Sequence, residues 1–309
     1  MEVIRNIADF PQLSYPVVTS GTFDGVHVGH RKILQRVIER ARERNGQSVV
    51  ITYWPHPRLV LFPEDNDLKL LSTIEERIEQ LRSFGIDYLL ILPFTKEFSR
   101  TSSRSFITDI LVKALRTKVL VIGYDHRFGK NREGSFEHLM AHSSKYGFEV
   151  EEIPREDVDD VGVSSTKIRK ALESGDLETA TSYLGRYYTL TSIVEEGQKL
   201  GRTIGYPTAN LAIPYKHKLI PANGVYAVWA TINGERHPGM MNIGMRPTVD
   251  GTHLTLEVHL LNFNQDIYGQ TITVAFVAYL RDEQKFNGLD ALKAQLAKDK
   301  EATEKVLGL

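Results

Sequence analysis

The sequence predicts an α/β domain built on a parallel sheet, followed by a small all-β domain that ends in a helix. Up to about residue 185, short apolar runs alternate with amphipathic stretches, the grammar of buried strands covered by helices on both faces. From about residue 186 helical periodicity disappears for roughly a hundred residues, and Val, Ile, Thr and Tyr dominate. The 309 residues are also enough for two cores. The domains are therefore placed at 1–185 and 186–309.

The first strand of the α/β pattern is "PVVTS", residues 16–20, followed by the Gly-rich turn "GTFDGVHVGH" at 21–30. A helix follows, with Ile33, Leu34, Val37, Ile38 and Ala41 on one stripe and Gly46 expected as its left-handed stop. "SVVITYW" is the next strand. The helix "STIEERIEQLRSFG" has Ser72 and Glu75 at capping-box spacing and Gly85 as its stop. "DYLLILP" is a strand, and a helix near 103–116 turns Phe106, Ile107, Ile110, Leu111 and Ala114 inward. The strand "VLVIG", a helix near 135–146 and the run "FEVEEIP" complete the alternation, and two short helices lead to the boundary near Leu184 to Arg186.

In the second domain "YTLTSIVEEG", "VYAVWATINGERHPG", "LTLEVHLLNF" and "TITVAFVAYL" read as strands. Asn233-Gly234 between two such runs is a hairpin signal. The spacing predicts a small antiparallel sandwich or barrel. A last helix runs from about Asp290 to Val306, with Leu292 and Leu296 as its apolar anchors.

Composition narrows the function classes. A formal net charge of −1 argues against a protein that coats nucleic acid or an anionic membrane, so any anionic substrate must be met by local groups. The absence of cysteine removes disulfides, thiolate nucleophiles and cysteine-ligated zinc. The N-terminal "MEVIRNIADFPQL" has no apolar run of signal-peptide length, and no stretch of about 18 apolar residues occurs, so the cytoplasm is the expected compartment.

In an open α/β sheet, ligands bind outside the carboxyl ends of the strands, where helix N-termini favour anions. The stretch 21–30 falls at that place. Gly21, Gly25 and Gly29 let backbone approach a phosphate, and His27 and His30 share one side of the first helical turn. Two imidazoles there can donate to phosphoryl oxygens; the plain alternative is that they cap and pack. The spacing is neither a Walker loop nor a Gly-x-Gly-x-x-Gly fingerprint. In "VSSTKIRKALESG", Ser164, Ser165 and Thr166 stand at a helix start, and Arg169 follows on the same face. That set is an anion cradle, or merely a capped helix with a surface arginine. "IGYDHRFGK" places Asp125 at another strand's carboxyl end, as a ligand contact or a turn aspartate.

These stretches resemble the signatures of HxGH-type nucleotidyltransferases, with their Rossmann-like sheet, and specifically the adenylyltransferase half of bacterial bifunctional riboflavin kinase/FAD synthetases. The second domain extends the resemblance. "GRTIGYPTANL", residues 201–211, offers Thr208 and Asn210 two apart on an extended segment, hard oxygen donors suited to Mg²⁺ or simply a polar turn. In "LTLEVHLL", Leu254, Leu256, Val258 and Leu260 take one face and Glu257 lies opposite beside Thr255 and His259, as a general base or as a solvent-facing carboxylate. "NGVYAV", "MNIGMRPT", "DIYGQ" and "RDEQKF" follow in the order seen in the riboflavin kinase module. The stretch "SRTSSRSF" departs from a more acidic family pattern, outside the signature motifs.

The resemblance implies formation of FMN from riboflavin and ATP in the second domain, then of FAD from FMN and ATP in the first. It places Gly21, Phe23, Asp24, His27, His30, Ser165, Thr166 and Arg169 at the ATP of the first site, with His27, His30 and Arg169 catalytic. At the second it places Gly201, Arg202, Gly205, Thr208 and Asn210 at ATP, Thr208 and Asn210 at Mg²⁺, and Glu257 as catalytic base. Asp125, Arg281 and Glu283 are implied on the flavin side. Flavins are substrate and product, and neither nucleic acid nor membrane is an expected partner. Two rivals are an adenylyltransferase for another acceptor with an accessory barrel, which absence of "PTAN" and the strand glutamate would favour, and a non-catalytic flavin-binding module, which loss of His27, His30, Arg169 or Glu257 would favour. All of these residues are present.

Overall fold

The structure, a computed structural model, describes residues 1–64, 67–124, 127–130, 133–134, 139–140, 145–154, 162–197, 200–213, 215–248 and 251–309. The chain divides into two compact units, Met1–Ser165 and Thr166–Leu309.

The first unit holds a six-stranded sheet, parallel throughout, in the order β1-β4-β3-β2-β5-β6. The strands are β1 (Glu2–Ile4), β2 (Pro16–Ser20), β3 (Gln47–Trp54), β4 (Tyr88–Pro93), β5 (Val119–Gly123) and β6 (Glu149–Ile153). From β2 the chain builds outward to β3 and β4, then crosses back to β5 and β6 on the other side. The strand order reverses between β2 and β5, which opens a crevice outside their carboxyl ends. Both faces are covered, so β2 is buried along its whole length. Alternation splits β3 between two cores: Val49 and Ile51 pack with Phe106, Ile107 and Leu111, whereas Val50 packs with Leu34, Ile38 and Leu81. Truncating one such buried leucine costs about 2–5 kcal/mol.

Helix α1 (Val28–Glu43) buries Leu34, Val37, Ile38 and Ala41 as its spacing predicts, and Ile33 packs beside them. Its left-handed stop is Asn45, φ 48°, and not Gly46. Gly46 is required for a different reason: a Cβ there would lie 2.2 Å from the Tyr15 carbonyl oxygen. After α2 (Pro57–Leu61), helix α3 (Ile74–Ser83) carries its capping box one residue later than expected, on Thr73 and Glu76. Ser72 is free of that task because its hydroxyl serves the loop after β2. Gly85, φ 83°, ends the helix as expected. The helix expected at 103–116 begins as α4 (Ser103–Ser105) and continues as a π-helix over Phe106–Ala114, with Phe106, Ile107, Ile110 and Leu111 buried and Ala114 half-buried. The helix expected near 135–146 lies largely outside the described residues.

The second unit is a closed antiparallel barrel in the order β10-β11-β8-β7-β12-β9. Its strands are β7 (Tyr188–Glu195), β8 (Ala209–Leu211), β9 (Gly224–Ile232), β10 (Glu235–Thr248), β11 (Gly251–Leu260) and β12 (Thr271–Arg281). Period-two alternation fills the interior: Ile272, Val274 and Phe276 are fully buried, and Phe276 meets Tyr226 edge-on at 5.2 Å between ring centroids. Asn233 and Gly234 both adopt positive φ, 52° and 85°, the two-residue turn that their sequence predicts. Helices α5 (Ser165–Glu173) and α6 (Leu177–Leu184) precede the barrel, and the Ala222 amide donates to the Leu172 carbonyl at 3.0 Å. α7 (Leu200–Thr203) is one turn. The final helix, α8 (Leu289–Leu307), is anchored differently from the expectation. Leu292 and Leu296 are only half-buried, and the deepest positions are Asp299 and Thr303. Among the described residues no helix is long and apolar enough to cross a membrane.

Candidate active sites

In the first unit the loop after β2 enters the crevice between β2 and β5. Three of four residues take left-handed backbone, Phe23 at φ 47°, Gly25 at 81° and Val26 at 40°. Only glycine does this freely, and for a β-branched residue it is a strained conformation. Gly25 also has no room for a side chain, since a Cβ would lie 2.7 Å from Leu71 Cδ1. The turn delivers His27 to the N-cap of α1, where its Nδ1 accepts from the His30 amide at 3.4 Å. In the neutral ring the proton then sits on Nε2, which is the donor nitrogen of the ring.

His27 and His30 stack, 3.6 Å between centroids and 16° between planes, and Phe23 buttresses His30 edge-on at 5.2 Å. His30 is half-buried with its Nδ1 sealed from solvent and without a hydrogen bond. Burial first, then the neighbouring charges of His27 and Arg77, hold its pKa well below 6.5. The ring is therefore neutral at pH 7.

Two residues expected at ATP, Phe23 and Asp24, are buried within the loop. Phe23 is buried against His30, and Asp24, 1 % exposed, accepts from the Leu71 amide through Oδ2 and from the Ser72 amide through Oδ1, each at 3.1 Å. Both shape the loop from behind. Gly21 is fixed by its amide, which donates to the Ile51 carbonyl at 3.0 Å, and its Cα faces the Phe23 ring. Ser165 donates from Oγ to the Asp24 carbonyl at 3.1 Å. Thr166 is exposed and Arg169 half-buried on α5, within the second compact unit. Asp125 lies outside the described residues.

In the barrel Glu257 sits on β11 with Asn210 of β8 directly across on one side and Asn242 of β10 across on the other. Side chains of such opposed residues share a face. Thr208 donates from Oγ1 to Glu257 Oε2 at 3.3 Å, and Arg246 donates from Nη2 to Oε1 at 2.7 Å. The carboxylate is 18 % exposed and hydrogen-bonded through both oxygens, so it is not a solvent-facing strand residue. The segment leading to Thr208 is tightly folded: a Cβ on Gly201 would fall 2.2 Å from the Tyr206 carbonyl, Gly205 has φ 85°, and His259 Nδ1 lies 2.7 Å from the Pro207 carbonyl oxygen. Arg202 reaches Tyr268.

The hydroxyl, carboxamide and carboxylate of Thr208, Asn210 and Glu257 form a hard-oxygen patch. No group of three or more His, Cys, Asp or Glu able to cage a metal occurs among the described residues. Such a patch fits Mg²⁺, which keeps waters and substrate phosphates and takes only one or two protein oxygens.

Arg281, expected on the flavin side, is held at the end of β12. Its Nε and Nη2 donate to the two Asp299 oxygens at 2.9 and 2.7 Å, and Nη1 donates to the Asp282 carbonyl. With all three nitrogens engaged, it ties the end of β12 to α8. Glu283 lies over Gly244 of β10, where a Cβ would come within 1.9 Å of its Oε1. Sequence reasoning missed Ser72, Arg77, Asn242, Arg246 and Asp299. For Asn242, Arg246 and Asp299 no local signal exists, because strand register and helix docking bring them in.

Comparison with known proteins places this geometry among relatives. A family described as FAD synthetase matches residues 10–167, and one described as riboflavin kinase matches residues 184–307. A protein of Escherichia coli K12 named bifunctional riboflavin kinase/FMN adenylyltransferase is 42% identical over 99% of this chain and 97% of its own. One of the same name from Listeria monocytogenes is 38% identical over 93% and 91%. Among solved structures, a Streptococcus pneumoniae chain named as a macrolide-efflux protein superposes with a TM-score of 0.88 at 34% identity, covering 98% of both chains.

Proposed function

The chain belongs to the family of bifunctional riboflavin kinases/FMN adenylyltransferases, and from that premise we propose how its own residues divide the two reactions. It is an enzyme that phosphorylates riboflavin to FMN and adenylylates FMN to FAD, with ATP as the second substrate. We assign adenylyl transfer to residues 1–185 and phosphorylation to 186–309; the two family matches end and begin at 167 and 184, the second at the last residue of α6. Both reactions belong in the cytoplasm, which supplies ATP.

In phosphorylation, Glu257 takes the proton from the ribityl hydroxyl, whose oxygen then attacks the γ-phosphorus of ATP while the bond to the β–γ bridging oxygen breaks. Thr208 and Asn210 would hold Mg²⁺, which when bound neutralises phosphate charge. Gly201, Arg202 and Gly205 shape the segment that meets the nucleotide, and Glu283 faces the flavin side, with Arg281 fixing its loop through Asp299. Arg246 and Thr208 each hold one oxygen of Glu257, which orients the base.

In adenylyl transfer, an ionised phosphate oxygen of FMN attacks the α-phosphorus of ATP and pyrophosphate leaves. The nucleophile is already an anion, so no strong base is needed. What the reaction needs is donors placed where charge develops. His27 through Nε2 and the neutral His30 supply them, and Ser165, Thr166 and Arg169 cradle the triphosphate. Asp125 is assigned to the flavin side by its place after β5.

The observation that carries the division is the convergence of Thr208, Asn210 and Glu257 on one barrel face, in a different compact unit from the stacked histidines. Initial rates of FMN formation over a Mg²⁺ titration test the metal assignment. Asn210→Ala should raise the Mg²⁺ concentration for half-maximal rate by roughly tenfold, as loss of a direct or second-sphere ligand does. An unchanged Mg²⁺ requirement would remove Asn210 from the metal.

A further inference from the structure

We propose that Arg77, acting through Asp24, is a positioning residue that holds the His27–His30 loop in its reactive shape, and that neither side chain touches the nucleotide. The inference rests on the reading that His27 and His30 act on the phosphates. The loop is locally unfavourable, with Phe23, Gly25 and Val26 all left-handed, a backbone that non-glycine residues hold only under strain. Something outside it must hold it.

The holding group is a buried polar clip. Asp24 accepts from the Leu71 amide, the Ser72 amide and the Ser72 hydroxyl, at 3.1, 3.1 and 3.3 Å, while the Gly25 amide donates to Ser72 Oγ at 3.2 Å. Aspartate and glycine of one loop are thus locked reciprocally to the residue before the α3 cap. Arg77, one turn into α3, closes the circuit. Its Nη2 lies 3.9 Å from Asp24 Oδ1, and its Nη1 donates to Thr52 Oγ1 at 3.2 Å. Thr52 in turn donates to the Thr22 carbonyl at 3.2 Å. Loop, carboxyl end of β3 and start of α3 therefore share one guanidinium.

Arg77 is fully buried, and its Nε and Nη2 make no hydrogen bond. A desolvated cation so incompletely satisfied is a net cost to folding. Its benefit lies in the loop it fixes and in the field it sets: Arg77 charge, together with burial and His27, keeps His30 neutral.

The test uses the full chain, whose kinase activity is an internal control for folding. With FMN and ATP as substrates, Asp24→Asn and Arg77→Met should each lower kcat for FAD formation roughly 30-fold or more, in line with sub-ångström misplacement of catalytic groups, with KM for ATP within about threefold. Arg77→Lys should recover part of the rate, and the Asp24→Asn/Arg77→Met double variant should be no worse than Arg77→Met alone, because the two act as a unit. Ser72→Ala, which removes the two clip bonds of the hydroxyl, to Asp24 and from the Gly25 amide, and no charge, should lower kcat about fivefold with KM unchanged and fold normally. A loss expressed in KM for ATP would make these residues nucleotide contacts, and additive losses would uncouple them; either overturns the proposal, as does full activity of Ser72→Ala. If His30→Ala leaves FAD formation intact, the site reading itself fails. If His30→Ala abolishes it while the clip variants stay fully active, only this inference fails.

Discussion

Arg246 of β10 and Glu257 of β11 are joined, Nη2 to Oε1 at 2.7 Å, which leaves Oε2 for the Thr208 hydroxyl. The pair fixes the plane of the carboxylate that phosphorylation uses as a base. It is partly exposed, 42 % at the arginine, so its contribution to stability is below about 1 kcal/mol. Its effect belongs in kinetics. Arg246→Met should lower kcat for FMN formation by roughly 10- to 100-fold, leave the conversion of FMN to FAD at its wild-type rate, and change the melting temperature little. Steady-state assays of the two reactions on one preparation check this.

Arg281 and Asp299 present the opposite case. The ion pair is bidentate and nearly closed to solvent, 16 % and 4 % exposed, with Gln295 also donating to the carboxylate at 2.9 Å. Removing one partner strands the other charge in the interior. Asp299→Ala should destabilise the barrel unit by about 3–5 kcal/mol, read as a lower unfolding midpoint in denaturant, whereas a surface substitution such as Lys298→Ala should not. A shift below 1 kcal/mol would contradict this structural role of the pair.

The histidine pair predicts a pH dependence of stability. His30 has its folded-state pKa depressed, by burial first and by His27 and Arg77 after it. Below about pH 6.5 the unfolded chain takes up a proton that the folded chain refuses, so stability is full above that pH and falls as pH drops through it, by at most about 1.4 kcal/mol per pH unit. His259 in the barrel is depressed in the same direction, mainly by burial. Thermal unfolding at pH 7.5 and 5.5 should therefore show acid destabilisation that His30→Gln reduces in the first unit and leaves unchanged in the barrel.

The elements were legible wherever local pattern decides them. β2 matches the apolar run at 16–20, and the Asn233-Gly234 turn follows from two residues that tolerate positive φ. The misses share one cause. Ser72 has the capping-box spacing, but the loop after β2 needs its hydroxyl, so the cap moved to Thr73. Gly46 looked like a helix stop, yet it is glycine because Tyr15 crowds it. Spacing and resemblance nominate His27 and His30, which the structure stacks, and Thr208, Asn210 and Glu257, which it sets side by side on the barrel. They miss Arg77, Arg246 and Asp299, because a buried or cross-strand partner is chosen by tertiary register and leaves no local trace in the chain.

The central claim is that one chain carries two separable sites, and a crossed assay of two variants tests it most directly. Glu257→Ala and His30→Ala are each incubated with riboflavin, ATP and Mg²⁺, and separately with FMN, ATP and Mg²⁺, and the flavins are resolved by chromatography. Glu257→Ala should make no FMN from riboflavin yet convert supplied FMN to FAD at the wild-type rate, while His30→Ala should accumulate FMN and make little FAD. Equal loss of both reactions in either variant would contradict the two-site account.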